Sequence, residues 1–87
     1  MVMRILREVD LELVADPDAP SLPRFLRARV VELPGGACEL LIEDRAGNVR
    51  FAYRDRRRFL VLEEFEVTLA DMEPVYRVVG GVAGAHG

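Results

Sequence analysis

Leu26, Ala28 and Val30 alternate with Arg27 and Arg29, and Cys38, Leu40 and Ile42 alternate with Glu39, Leu41 and Glu43. A period of two is the mark of strands with one buried face. Pro34-Gly35-Gly36 lies between them and reads as a tight turn. A three-residue loop at 34–36 pairs Val30 with Leu40 and Ala28 with Ile42, so the two apolar faces coincide. A two-residue loop would put those faces on opposite sides, because one residue of slip inverts every side chain. The same register sets Arg27 opposite Glu43, a favourable cross-strand pair.

Asp44-Arg45-Ala46-Gly47 predicts a second turn, with Gly47 at the left-handed position. Val49, Phe51 and Tyr53 follow as an apolar face, and Arg50, Ala52 and Arg54 point the other way. A four-residue loop would pair Ile42 with Val49 and Leu40 with Phe51, placing Phe51 and Tyr53 in the core. Residues 1–15 carry two patterns: Val2, Leu6, Val9 and Leu13 fit a helix, whereas Val9, Leu11 and Leu13 alternate with Glu8, Asp10 and Glu12. The alternation favours a strand. Pro17, Pro20 and Pro23 then impose a stiff connecting loop.

The second half is harder to read. Phe59 to Leu62 is a continuous apolar run, and Phe65, Val67 and Leu69 alternate with Glu64, Glu66 and Thr68. Two strands with a bulge near Glu63-Glu64 are expected, since the two runs have opposite parity. A helix over 59–72 is the competing reading, because Leu62, Phe65, Leu69 and Met72 match helical spacing. Pro74 ends either element, Val75 to Val79 is a last short strand, and 80–87 is a glycine-rich tail. The expected fold is therefore all-β: one domain over 1–79, with about five or six short antiparallel strands. It would form a small barrel or curled sheet in the SH3-like or OB-like style, with a short helix at one end as the variant.

Composition narrows the chemistry. There is one Ser, one Thr, one Asn, one Cys and one His, and Lys, Gln and Trp are absent. A Schiff-base lysine is excluded, and one Cys with one His cannot supply a four-ligand zinc site. Neither a metal nor a cofactor is expected. Asp16 and Asp18 flank Pro17 and read as part of a rigid turn rather than as metal ligands. Cys38 falls on an apolar face and reads as a small buried hydrophobe. A lone cysteine, an N-terminal stretch broken by charge and no run near 18 apolar residues point to a cytoplasmic protein that does not cross a membrane.

Charge supplies the candidate site. Arginine carries all the positive charge, and six arginines fall between Arg45 and Arg58 with only Asp55 against them. Five acids and no base follow between Glu63 and Glu73. Arg50, Arg54, Arg56, Arg57 and Arg58 opposite Glu63, Glu64 and Glu66 suggest a non-enzymatic interaction module that self-associates or binds a protein partner. The plainer reading pairs those arginines with the same acids inside one chain, and a GC-rich coding bias would by itself replace lysine with arginine. An alternative is RNA or single-stranded DNA binding through Arg50–Arg58, with guanidinium groups on phosphates and rings stacking on bases. The net charge of −3 works against generic polyanion binding. A small enzyme or ligand carrier would need a pocket holding two close carboxylates.

Overall fold

The computed structural model describes residues 3–14 and 22–81. The proline loop with Asp16 and Asp18 lies largely outside the described residues, as does the tail from residue 82 with His86. Five antiparallel strands form one open sheet: β1 (Arg4–Leu13), β2 (Phe25–Glu32), β3 (Cys38–Asp44), β4 (Val49–Asp55) and β5 (Tyr76–Gly81). Their order is β4-β3-β2-β1-β5. The single described helix, α1 (Arg58–Met72), carries the chain from one edge of the sheet toward the other. It packs over β2, β3 and β4. The sheet does not close, so of the two expected forms the open one is realised.

The β2–β3 hairpin has the register that its alternation requires: Val30 faces Leu40, Ala28 faces Ile42 and Arg27 faces Glu43. Its turn closes with Gly36 N–H donating to the Leu33 carbonyl (3.0 Å) and Leu33 N–H to that of Ala37 (2.7 Å). Gly35 and Gly36 sit at φ 99° and 98°, a region that side chains disfavour. In β1, Leu11 is buried and Val9 and Leu13 pack beside it, as the alternation of that segment predicts.

The β3–β4 register differs from the expected one by two residues. Ile42 faces Phe51 and Leu40 faces Tyr53, and a bulge next to Ile42 brings Val49 opposite Glu43. The cause is Asp44. Its Oδ1 accepts the backbone N–H groups of Ala46 (3.0 Å) and Asn48 (2.9 Å), while its own N–H donates to the Asn48 carbonyl (3.0 Å). That grip shortens the loop to 45–47, and the surplus residue is absorbed as a bulge. Phe51 keeps its side of the sheet but lies near the edge, and it is 40% exposed rather than buried.

The strands expected over 59–69 are instead the helix α1. Val61 and Phe65, four residues apart, are buried against the sheet, and Leu62, Leu69 and Met72 pack alongside. These five positions form one helical stripe, and no bulge exists at Glu63-Glu64. After the helix, Val75 N–H donates to the Met72 carbonyl (2.9 Å) and Val14 N–H to the Val75 carbonyl (2.8 Å), which aims the chain along β1. The Tyr76 hydroxyl donates to the Pro23 carbonyl (2.6 Å), and burial raises its pKa above the usual phenol value. The strand then runs to Gly81, two residues into the stretch expected to be tail. The core joins Leu11, Leu26, Ala28, Val30, Cys38, Leu40 and Ile42 of the sheet to Val61 and Phe65 of the helix. The single described helix is not long and apolar enough to cross a membrane.

Candidate functional site

Every strand has a second face, away from the core, and on this face charge alternates from strand to strand. From β5 to β4 it carries Arg77, then Glu8, Asp10 and Glu12, then Arg27 and Arg29, then Glu39 and Glu43, then Arg54. Ion pairs bridge each neighbouring couple: Arg77 to Glu12 (3.4 Å), Arg27 to Asp10 (2.9 Å), Arg29 to Glu43 (2.6 Å) and Arg54 to Glu39 (3.3 Å). Asp10 holds the Arg27 guanidinium pKa above its ordinary value by hydrogen bond and by charge. Cross-strand opposite charges favour this strand order and register over alternatives.

The arginines singled out by sequence are separated by this architecture. Arg50 and Arg54 lie on β4, Arg56 and Arg57 between β4 and α1, and Arg58 opens α1. Most are engaged locally, and none with the expected acids. Arg50 lies 3.6 Å from Asp44, and the Arg57 Nε donates to Asp55 (3.1 Å). The Arg58 Nη2 donates to Glu32 (3.0 Å), whose other oxygen meets Arg4 (3.2 Å). Arg56 has no ionic partner among the described residues. Glu63, Glu64 and Glu66 lie on α1; Glu64 accepts a hydrogen bond from Thr68 (3.3 Å), and Glu63 and Glu66 are exposed.

Charge on α1 runs against its dipole. Arginines crowd the positive N-terminal end, while the first turn has no acid and the last turn no base. Arg57 at the N-cap makes no capping bond with its side chain. Asp55 offsets part of this by accepting the Arg57 backbone N–H at 2.7 Å. That bond and the guanidinium of Arg57 hold the Asp55 carboxyl below its usual range.

A depression of about 450 Å³ opens on the charged face, lined by Asp10, Phe25, Arg27, Arg29, Glu43 and Arg45 among others. The Arg45 guanidinium lies 4.2 Å from the centre of the Phe25 ring. Asp10 and Glu43 are bound to Arg27 and Arg29, and Asp44 is held below its usual range, chiefly by the Asn48 N–H. Each of these carboxylates is thus engaged by a donor of its own rather than by another carboxylate. Among the described residues no cluster of His, Cys, Asp and Glu could hold a metal ion. Cys38 is fully buried.

Among the described residues, several apolar side chains at the sheet edges are exposed. Val49 and Phe51 on β4 are 53% and 40% exposed, and Val78 and Val79 on β5 are 54% and 47% exposed. Phe59 and Val67 project from α1. Sequence reading identified the Val75–Val79 strand but not its edge position, which depends on strand order. Comparison of the chain with protein-family models, curated proteins and solved structures finds no match.

Proposed function

We propose that this domain is a non-enzymatic, self-associating interaction module, and that it makes contact through apolar sheet edges rather than through the arginine-rich segment. One contrast carries the reading. Arg50, Arg54, Arg57 and Arg58 each have an acid within their own chain, whereas Val78 and Val79 on an edge strand are about half exposed among the described residues. An exposed apolar edge with unpaired backbone groups is a template for another strand. A lone buried Cys38 is compatible with work in the reducing cytoplasm.

The RNA reading keeps one observation in its favour, the 65%-exposed Phe59 three residues from Arg56. Light scattering with added short single-stranded RNA separates the two. The interaction module gives a mass near twice the 9.8 kDa of one chain at tens of micromolar. That mass holds between about 50 and 500 mM salt, because buried apolar contacts are not screened. A monomer that gains mass with RNA and loses it in salt would replace this reading with nucleic-acid binding.

A further inference from the structure

The turn that sets the β3–β4 register also places a cation. Asp44 Oδ1 accepts the N–H groups of Ala46 (3.0 Å) and Asn48 (2.9 Å), which fixes the backbone around Arg45. The Arg45 guanidinium lies over the ring of Phe25, the first residue of β2, at 4.2 Å from the ring centre. Arg24 lies 5.9 Å from the same centre. Neither arginine has an ionic partner among the described residues. A guanidinium that covers a ring with its face keeps its N–H edge for an anion, and that edge matches a carboxylate bidentately.

Arg45 and Phe25 both line the depression of about 450 Å³ on the charged face, a volume in the range of small-molecule sites. The other charges of its lining are already matched. Arg27 is bound to Asp10 (2.9 Å) and Arg29 to Glu43 (2.6 Å), and each of these arginines is also 4.0 Å from Glu8. Asp44 is met by Arg50 at 3.6 Å, from outside the depression. Arg45 is therefore the unbalanced charge of the lining. Apolar surface comes from Phe25 and from Val79, which is 47% exposed. We infer that the depression binds a small monoanion, a carboxylate with a flat apolar body. The carboxylate meets the N–H edge of Arg45, and the body packs beside Phe25 and Val79. Asp10, Glu43 and Asp44 would repel a multiply charged ligand such as a phosphate dianion. The site lies on the sheet face and is independent of self-association through the edges.

The test is a titration of the isotope-labelled full chain followed by backbone amide NMR. The probes are benzoate, benzamide as its uncharged counterpart, and inorganic phosphate as charge without a ring. Benzoate is expected to shift the amides of Arg45, Gly47 and Val79 saturably, with a dissociation constant of about 5 mM or tighter. Benzamide and phosphate bind at least about tenfold more weakly. Arg45→Gln weakens benzoate binding at least about tenfold and keeps the spectrum of a folded chain, since Arg45 is exposed. Arg56→Gln alters an arginine outside the depression and leaves benzoate binding unchanged. The site is overturned if benzoate gives no saturable shift up to about 50 mM, or if the two variants behave alike. Benzamide or phosphate binding as tightly as benzoate would overturn the ligand class.

Discussion

The two faces of the sheet are ordered by different physics. Beneath α1, Leu26, Ala28, Val30, Cys38, Leu40 and Ile42 are all at most 7% exposed, and Val61 and Phe65 of the helix are locked among them. On the opposite face no described helix packs, and order comes from arginines and acids facing each other across strands. Apolar burial there shrinks to isolated residues such as Val31, fully buried between Ile5 and Glu39. The first face supplies the stability, because each buried side chain of this size contributes about 1.5–3 kcal/mol. The second supplies specificity. Exposed ion pairs add at most about 1 kcal/mol each, but a different strand order, with β1 beside β3 for example, would set acids side by side. It also takes up arginines that would otherwise be free to bind an external anion.

Breaking the apolar face should have the largest effect. Phe65→Ala removes the ring that α1 buries in the core, at a cost of about 3–5 kcal/mol. A domain of this size has about 5–10 kcal/mol in total, so the variant should unfold at much lower urea with an unchanged slope. A midpoint close to that of the unmodified protein would mean that α1 is not anchored through Phe65.

The charged face is tested at Arg29, which bridges Glu43 and, at 4.0 Å, Glu8. Its Nε is buried without an acceptor, so the guanidinium is held mainly from its Nη side. Arg29→Met leaves the Glu43 carboxylate without its 2.6 Å partner and should cost about 1–3 kcal/mol. The double variant Arg29→Met with Glu43→Leu should regain most of that loss, since apolar replacement of a desolvated pair is often neutral. If the double variant is as unstable as the single one, the pair is not acting as a unit.

These two faces also separate what could be read in the residues from what could not. The β2–β3 hairpin was legible because Pro34-Gly35-Gly36 admits few loop lengths and one of them aligns both apolar faces. The helix was obscured by its own outer surface. Phe59 and Val67 are apolar and exposed, which blurs the stripe of Val61, Phe65, Leu69 and Met72 into something close to alternation. A clue was present, since the strand reading needed a parity break at Glu63-Glu64 and the helix needed none. Ion pairing was beyond reach for another reason. Arg58 meets Glu32 and Arg77 meets Glu12 only because α1 crosses the sheet and β5 lands beside β1. Nearness in sequence suggested Glu63, Glu64 and Glu66, but strand order decided otherwise.

The smallest expected effect lies at the turn where the two faces meet. Asp44 accepts N–H groups from Ala46 and Asn48, and those bonds with the nearby Arg50 hold its carboxyl below the ordinary value. A carboxyl depressed on folding favours the folded state at any pH above its unfolded pKa, near 4. The contribution fades as pH falls below that value and is gone once the folded carboxyl is protonated. Asp44→Asn keeps an oxygen for the backbone donors but loses the charge. Thermal melts of the two proteins should therefore differ at pH 7, converge below about pH 4 and coincide in stronger acid. A gap that stays constant with pH would assign the effect to the shape of the amide. The bulge that sets Val49 opposite Glu43 would then rest on loop geometry alone.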